Sequence, residues 1–245
     1  MTDQQPPPGM PPPHPVVRSS SSSLDFSTAF QFGWEVFRAD PGPLVGAVVL
    51  TYVALFAAMG VAVGVVAGLG AVVGDSTAGI LLAILLGVLG FLGFVLVAQL
   101  PTVVLLRAGV DAVEGRPITL ARLFRTDGLV RMCSAMLLVM LGVLVGYLFL
   151  VIPGIVFGVM AGFTLHHMVE DETLGVINAI RASIATVRAK PWPSIGVILV
   201  TGLVAGLGAY ACFVGLVVSL PVAMIAQIHG FRQVTGRPVP VPPPG

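Results

Sequence analysis

The chain has 245 residues, of which 56% are hydrophobic and only 9% are charged, and its mean hydropathy is +1.02. A soluble domain usually carries about 25% charged residues, so this composition excludes an ordinary water-soluble fold and indicates that lipid is the solvent. The net charge of +1 excludes the strongly basic surface of nucleic-acid-binding proteins. We therefore expect membrane lipids, and no nucleic acid, as partners.

Both ends of the chain are rich in proline. The segments "QQPPPGMPPPHP" and "SSSSS" precede Leu24, and "PVPVPPPG" closes the chain. Proline favours extended polyproline II conformations and serine favours flexible coil. We expect a disordered cytoplasmic tail over residues 1–24, a membrane domain over residues 25–232, and a second cytoplasmic tail over residues 233–245. A solvated tether and a ligand for a proline-binding module are both compatible with these tails.

Four long intervals between consecutive charged residues define the membrane domain. They hold 34, 31, 38 and 41 residues and lie between Asp40 and Asp75, Asp75 and Arg107, Arg131 and Glu170, and Lys190 and Arg232. A spanning helix needs about 20 residues, so the first two intervals fit one span each and the last two fit a helical hairpin each. The sequence predicts six spans, over 44–69, 78–104, 131–149, 153–170, 194–210 and 212–230. Proline and glycine predict the turns of the last two hairpins at "GYLFLVIPG" (146–154) and "GLGAY" (206–210). In the alternative, the last two pairs are re-entrant and do not cross.

The basic residues predict the orientation. All twelve lie before the first span, between spans two and three, between spans four and five, or after span six. With six spans, these four places share one side of the membrane, and the opposite loops carry only Asp75. The positive-inside rule then predicts a multi-pass protein of the cell membrane with both termini in the cytoplasm.

Three related phrases each precede a predicted hairpin: "VFRADPGPLVG" at 36–46, "LFRTDGLV" at 123–130 and "VRAKPWPSIG" at 187–196. Apolar residues at helical spacing accompany all three. These are Phe26, Phe30, Trp34 and Phe37, then Leu120, Leu123 and Phe124, then Val176, Ile180, Ile184 and Val187. Such segments are too charged to span and too apolar on one side for water. We expect them to lie in the membrane interface with these residues facing lipid.

The first and third phrases match residue by residue. Arg188, Pro191 and Gly196 lie 150 positions after Arg38, Pro41 and Gly46, and "GVDAVEGRP" after span two resembles "GFRQVTGRP" after span six. This pattern indicates an internal repeat, although membrane anchors of convergent composition would also produce it. The predicted fold is an all-α membrane protein of six transmembrane helices arranged as three hairpins. Each hairpin is preceded by a cytoplasmic interfacial amphipathic helix.

Glycine and proline recur inside the predicted spans. Two rows of glycines spaced four apart are Gly60, Gly64 and Gly68, and Gly154, Gly158 and Gly162. Small residues at this spacing allow helix backbones to approach closely, so both rows are predicted to pack helices of this chain or, alternatively, of a second copy. Pro101 and Pro221 predict kinks.

Groups able to carry chemistry are scarce. No charged residue falls in the middle of a predicted span, where proton relays and ion pathways normally need one. His166 and His167 lie about one turn from Glu170 and Asp171, but adjacent histidines point to different sides of a helix. A metal or proton site there is the alternative to a plain interfacial position. With no nucleophile–base pair or paired catalytic carboxylates, we expect no enzyme activity, no cofactor and no metal.

Several segments together resemble a known group. They are "FQFGWEVFRADP", "GVDAVEGRP", "VIPGIVFGVMAGF", "DETLGVINAIRASIATVRAKPWPSIGVILV" and "SLPVAMIA", within about Phe26 to Phe231. They are similar to the membrane domain of glycerophosphoryl diester phosphodiesterases, especially the stand-alone proline- and glycine-rich membrane proteins of actinobacteria. The resemblance implies a multi-helix membrane domain. It does not imply phosphodiesterase activity, because no remaining segment of the chain could hold the soluble catalytic barrel.

Two functions follow as expectations. The first is a non-catalytic membrane scaffold or accessory protein that contacts the inner leaflet and binds other membrane proteins or a second copy of itself. The alternative is a transporter or lipid-handling protein for a hydrophobic or amphipathic substrate, which internal repeats and kinked helices favour. A transporter needs a cavity that reaches the midplane of the membrane, whereas a scaffold does not.

Overall fold

The computed structural model describes residues 16–17, 25–73, 76–210 and 215–240. This part of the chain is helical apart from two short strands, β1 (Val16–Val17) and β2 (Val239–Pro240), which pair in antiparallel fashion. The helices are α1 Phe26–Ala39, α2 Pro41–Val73, α3 Thr77–Ala98, α4 Leu100–Val113, α5 Leu120–Leu123, α6 Leu129–Phe149, α7 Val151–Met160, α8 Thr164–Glu170, α9 Val176–Ala189, α10 Pro191–Tyr210 and α11 Leu216–Thr235. Asp75, most of the first predicted tail and residues 241–245 of the second lie outside the described residues.

Within the described residues, five helical segments are long and apolar enough to cross a membrane. They are Pro41–Gly68, Thr77–Val113, Leu129–Phe149, Val151–Glu170 and Pro191–Gly208. They correspond to the first five of the six predicted spans. The sixth corresponds to α11, which packs against α10 but carries Gln227, His229 and Arg232 in its second half. These polar residues explain why α11 is not among the segments that length and composition identify.

Several breaks between helices fall close to proline, as at Asp40, Gln99, Leu150 and Lys190. The chain turns from α6 to α7 at Leu150 alone, inside the predicted turn "GYLFLVIPG". Gln99 separates α3 from α4, and Pro101 lies in the first turn of α4, where a missing N–H does no harm. The turn predicted at Gly206 to Tyr210 is wrong, because α10 continues through Tyr210. In lipid, a helix satisfies the backbone polar groups that an open turn would expose.

The helices form three units that close into a ring. The pairs α2 and α3, α6 and α7, and α10 and α11 pack against each other. The three units are α1–α4, α5–α8 and α9–α11. We call α1, α5 and α9 the entrance helices, because each begins a unit. We call α4, α8 and α11 the return helices, because each ends a unit. Each entrance helix packs on the return helix of the preceding unit: α5 on α4, α9 on α8, and α1 on α11.

The return helices meet at the centre of the ring. Helix α4 contacts both α8 and α11, and Phe231 of α11 packs against His166 and His167 of α8. A Cβ placed on Gly109 of α4 would lie 2.8 Å from Cγ1 of Ile228 in α11, so glycine is what allows this close approach. Leu105, Leu106, Ile225 and Ile228 are at most 1% exposed. The return helices therefore contribute the centre of the protein core.

Entrance helices α1 and α9 have the same geometry 150 residues apart. Both have 14 residues and begin at Phe26 and Val176. Their C-cap residues, Asp40 and Lys190, adopt similar backbone angles, with φ −150° and ψ 85° in one and φ −139° and ψ 72° in the other. The buried positions also correspond, namely Ala29, Gly33 and Phe37 in α1 and Ala179, Ser183 and Val187 in α9.

The correspondence continues into the helices that follow. Thr51 Oγ1 of α2 donates a hydrogen bond of 2.7 Å to the carbonyl oxygen of Ala47. Thr201 Oγ1 of α10 donates one of 2.6 Å to the carbonyl oxygen of Val197. Both threonines are buried, and bonding to the carbonyl four residues back satisfies their hydroxyl groups inside the protein.

Candidate functional site

Helices α4 and α11 end in the same backbone motif. The N–H of Arg116 donates to the carbonyl oxygen of Asp111 at 2.8 Å, and the N–H of Arg237 donates to that of Arg232 at 2.9 Å. Gly115 and Gly236 stand before these arginines at φ +67° and +72°, left-handed angles that glycine adopts at no steric cost. The two motifs place Asp111 and Arg232, which are opposite in charge, at matching positions.

Arg232 is the centre of a buried group of charges. Its side chain is 8% exposed, and its Nε and Nη2 donate to the two carboxylate oxygens of Glu170 at 2.5 and 3.0 Å. Nη2 also lies 3.1 Å from Oε1 of Glu114, and Arg237 Nη1 lies 2.7 Å from Oε2 of Glu170. Paired hydrogen bonds between a guanidinium and a carboxylate are among the strongest in proteins. This group joins the C-terminal ends of all three return helices.

Asp111 extends these ion pairs towards α5. It is nearly buried, and its Oδ1 accepts from Arg116 Nε at 2.7 Å and from Arg122 Nη2 at 3.2 Å. Arg116 also pairs with Glu114, which links Asp111 to Arg232. We call these seven residues the charge network; they are Asp111, Glu114, Arg116, Arg122, Glu170, Arg232 and Arg237. The hydrogen bonds and charge of Asp111 raise the pKa of Arg122, which lies at the surface.

Arg107 holds the connection between α5 and α6. It lies on α4 and is only 2% exposed. Its Nη1 donates to the carbonyl oxygen of Arg125, and its Nη2 donates to that of Asp127 at 2.6 Å. These carbonyls lie three residues and one residue before Gly128, which adopts φ +68° as the N-cap of α6. Arg107 therefore fixes the start of the second hairpin against the first return helix.

The two histidines for which a metal or proton site was the alternative have separate surroundings. The ring of His166 packs between Phe163 and Phe231, at centroid distances of 5.2 and 5.3 Å. His167 Nε2 lies 3.0 Å from Oγ1 of Thr186. Glu170, their predicted neighbour, is engaged by arginines instead. Within the described ranges, no group of three or more His, Cys, Asp or Glu residues is arranged to hold a metal ion.

The apolar residues predicted to face lipid from the entrance helices have different environments. Phe37, Leu123 and Val187 are at most 9% exposed and lie in the protein core. Only two of the set are more than a third exposed, Trp34 at 45% and Leu120 at 43%. The partly buried members are Phe26, Phe30, Phe124, Val176, Ile180 and Ile184. Burial replaces lipid contact where an entrance helix lies against a return helix of the same chain.

The two glycine rows also differ. A Cβ placed on Gly60, Gly64 or Gly68 meets no atom within 4 Å. In the second row, a Cβ on Gly154 would lie 2.9 Å from the backbone nitrogen of Tyr147 in α6, and one on Gly162 would lie 2.8 Å from Ile198. A Cβ on Gly158 has ordinary contact with Val143 at 3.6 Å. The second row therefore lies against neighbouring helices, and the first faces open space.

In the described part of the chain, two cavities lie beside the helices. One of about 240 Å³ lies between α2 and α11 and is lined by Val48, Val49, Tyr52, Val53, Phe56, Leu216 and Val217. The other, of about 600 Å³, lies beside the α5–α6 connection and is lined by Thr126, Asp127, Gly128, Val130, Arg131, Ser134 and Glu172. The first is apolar and the second is polar. Neither is lined by residues from all three return helices.

Neither the charge network nor the role of Arg107 was predicted from the sequence. The arginines were assigned to cytoplasmic loops by the positive-inside rule, which counts charges without pairing them. One signal was available in the two phrases "GVDAVEGRP" and "GFRQVTGRP", where Asp111 and Arg232 occupy the same position with opposite charge. The two positions are joined indirectly, because Arg116 pairs with both Asp111 and Glu114, and Glu114 pairs with Arg232.

These observations define the class of protein. An all-helical fold with five described helices able to cross a bilayer, closed by a polar network at one end, is that of a multi-pass membrane protein.

The chain belongs to a family of mycobacterial proteins. It is 30% identical over 257 aligned residues to the uncharacterized protein Rv2560 of Mycobacterium tuberculosis strain H37Rv, with 97% of this chain and 78% of the relative covered. The uncharacterized protein Mb2590 of Mycobacterium bovis matches with the same identity and coverage. No protein-family model matches the chain, and no solved structure matches it.

Proposed function

We propose that this protein is a non-catalytic membrane scaffold or accessory protein of the cell membrane. In this proposal α11 is the sixth span, the three helix pairs are transmembrane hairpins, and both termini are cytoplasmic. The entrance helices lie at the surface of the inner leaflet. The partners are membrane lipids and other membrane proteins or a second copy of the chain, and no cofactor takes part.

The close packing of the return helices is the observation that supports this proposal. Gly109 and Ile228 leave no space between α4 and α11, and Glu170 ties α8 to Arg232 at the polar end. A transporter must open its centre alternately to each side of the membrane. Here that movement would separate the buried pair of Arg232 and Glu170. Removing a partner from a buried pair costs about 3–5 kcal/mol. A fixed centre suits a protein that presents surfaces to partners.

The buried polar groups support a structural role in the same way. Arg107 binds backbone carbonyls, and Asp111 and Glu170 bind arginines. Catalytic groups need an accessible reacting atom and a substrate position within hydrogen-bonding reach. In these contacts the ionised groups are used to join helices.

A lipid-handling role is the second candidate, and the apolar cavity between α2 and α11 favours it. Its volume of about 240 Å³ suits part of one acyl chain, and its position is lateral rather than central. If the cavity holds lipid specifically, replacing the buried Val48 with Phe should reduce the lipid retained in native mass spectrometry. Unchanged lipid retention would indicate that the cavity does not bind lipid specifically.

Cysteine accessibility tests the scaffold against the transporter. In a variant with Cys133 and Cys212 replaced by alanine, single cysteines are introduced at Val103 or Ala226, which are buried in return helices. We expect a membrane-impermeant maleimide to label neither position in right-side-out or inside-out vesicles. Labelling of either position from both sides would show a centre that opens alternately and would overturn the scaffold proposal.

The same experiment tests orientation with matched exposed positions. Single cysteines at Ser27 of α1 and Ala185 of α9 should be labelled only from the cytoplasmic side. Labelling of either from outside an intact cell would contradict the proposed topology.

The relationship to the membrane domain of glycerophosphoryl diester phosphodiesterases stays a prediction. The matching geometry of α1 with α9, and of Thr51 with Thr201, supports the proposal that the first and third units are copies of one ancestral unit. A common origin for the middle unit has less support, because its entrance helix α5 has only four residues.

A further inference from the structure

We propose that the outward face of α9, and not that of α1, binds the anionic headgroups of phospholipids. This inference rests on the proposed function, which places the entrance helices at the leaflet surface. We define the α9 face as Ile177, Arg181, Ala185 and Arg188 together with Trp192 at the start of α10.

The geometry of the α9 face points away from the protein. Its four members on α9 follow one another at steps of four, four and three, which keeps them on one side of that helix. All five are exposed, Ile177 at 52% and Trp192 at 81%. The opposite side of α9 is buried in the protein through Ala179, Ser183 and Val187. The face is therefore free to contact the surroundings of the protein.

The positive charge of the α9 face is uncompensated. Within the described part of the chain, Arg181 and Arg188 have no ion pair and no side-chain hydrogen bond. The nearby acids are engaged elsewhere, Asp171 by Thr173 and Glu172 by Arg125. Lys190 Nζ, beside the face, donates to the carbonyl oxygen of Val234 at 2.8 Å.

When the segment that begins at Pro191 crosses the membrane, the α9 face lies at the level of the lipid headgroups. The apolar segment that can cross the membrane begins at Pro191, so Arg188 stands just before it and Trp192 lies within its first turn. Tryptophan is enriched at the level of headgroups, and basic residues there are attracted to anionic lipids. Arginine also binds phosphate with paired hydrogen bonds.

Helix α1 provides the contrast, because its backbone matches that of α9 but the net charge of its outward face differs. The positions that match the α9 face are Ser27, Gln31, Glu35, Arg38 and Gly42. One acid and one base cancel there, and Asp25 and Asp40 flank the helix with further negative charge. Charge complementarity therefore assigns anionic lipid to the third unit and not to the first.

The two tryptophans of the chain allow each helix to be measured alone. Trp34 lies on α1 and Trp192 beside α9, so Trp34→Phe and Trp192→Phe each leave one reporter. Each variant is placed in nanodiscs of phosphatidylcholine with a minor fraction of brominated lipid. The brominated lipid is phosphatidylglycerol in one series and phosphatidylcholine in the other. We expect Trp192 to be quenched more strongly by brominated phosphatidylglycerol, and Trp34 to be quenched equally by both.

Arginine variants identify the cause of the preference. Each basic residue near an anionic surface is expected to give about a fivefold enrichment of anionic lipid, which high salt weakens. Arg188→Gln should therefore reduce the preference at Trp192 about fivefold, and Arg181→Gln with Arg188→Gln should abolish it. Arg38→Gln, at the matched position in α1, should leave it unchanged.

The outcomes separate this inference from the proposed function. Equal quenching of Trp192 by both lipids, or an equal loss in Arg38→Gln, would overturn the α9 assignment while leaving the scaffold proposal intact. If neither tryptophan were quenched by either lipid, the entrance helices would not lie at the membrane surface, and both proposals would fail.

Discussion

The hairpin of α2 and α3 differs in exposure and charge from the end of the molecule where the return helices meet. Along the hairpin, apolar side chains such as Val61 and Leu81 are more than 60% exposed, and Gly60, Gly64 and Gly68 face open space. At the other end, side chains are buried and charges are paired. In a membrane, apolar surface has no need of burial, since lipid tails solvate it as well as protein does. Close packing and polar contacts therefore carry the specificity of the fold.

The largest effect should come from breaking the charge network at Glu170. Glu170→Gln leaves Arg232 and Arg237 without their shared carboxylate, and Arg232 is only 8% exposed. Losing one partner of a buried ion pair costs about 3–5 kcal/mol, so the midpoint of thermal unfolding in nanodiscs should fall strongly. Glu35→Gln is the control, because Glu35 lies on α1 outside the charge network. An equal response of the two variants would show that the charge network contributes nothing particular.

The glycine rows provide a direct comparison of the two regions. Gly154→Ala places a Cβ 2.9 Å from the backbone nitrogen of Tyr147, which cannot move without shifting α6. Overpacking of this kind costs about 1–3 kcal/mol, to be measured as a lower free energy of unfolding in detergent. Gly64→Ala meets no atom within 4 Å and should change the free energy of unfolding by less than about 0.5 kcal/mol. If Gly64→Ala were the more harmful variant, the first row would have to contact a second copy or a partner.

The contact between α1 and α11 should be more tolerant, because a short entrance helix can shift as a unit. A Cβ on Gly33 would lie 2.7 Å from the carbonyl oxygen of Val222 in α11. Gly33→Ala should therefore move α1 outward at a cost of about 1 kcal/mol and change the fluorescence of the neighbouring Trp34. Gly42→Ala is the control, because its added Cβ has only ordinary contact with Asp40. Identical spectra for wild type and Gly33→Ala would contradict the close approach.

The sequence indicated much of the local structure but not the tertiary contacts. The match of Arg38 with Arg188 and of Pro41 with Pro191 indicated where two entrance helices end and two membrane helices begin, because caps and proline act locally. The partner of an apolar face was not predictable. Phe37 is buried against protein and Trp34 is half exposed, yet both follow the same helical spacing. Lipid and a neighbouring helix are both apolar, so periodicity cannot distinguish them.

Arg107 shows the same limit for charges. The predicted second span ended at residue 104, because a charge was taken to mark the membrane boundary. Helix α4 instead continues to Val113 and buries Arg107 and Asp111. A buried arginine needs specific acceptors, and here they are carbonyls some twenty residues away in the chain, such as that of Asp127. Contacts over that separation depend on the tertiary structure, which no local pattern reveals.

The smallest effect concerns the start of α1, where the two entrance helices differ. Asp25 caps α1 by accepting hydrogen bonds from Ser27 and Thr28, and these bonds lower its pKa from 3.8 to about 2. Because the pKa is lower in the folded state, the stabilisation is present above about pH 4 and is lost as the pH falls towards 2. Helix α9 begins after Gly175, which has no side chain to form such a cap.

Amide hydrogen exchange at Thr28 and Asn178 can measure this difference. After correction for intrinsic exchange rates, protection of Thr28 should decrease between pH 4 and pH 2, while protection of Asn178 should remain constant. Asp25→Ala should give the low protection at every pH, at a cost of at most about 1 kcal/mol because the cap is exposed to solvent. Parallel loss of protection at both amides would indicate that the whole end of the molecule opens in acid. The cap would then not be the cause, and the two entrance helices would respond as one body with the charge network beneath them.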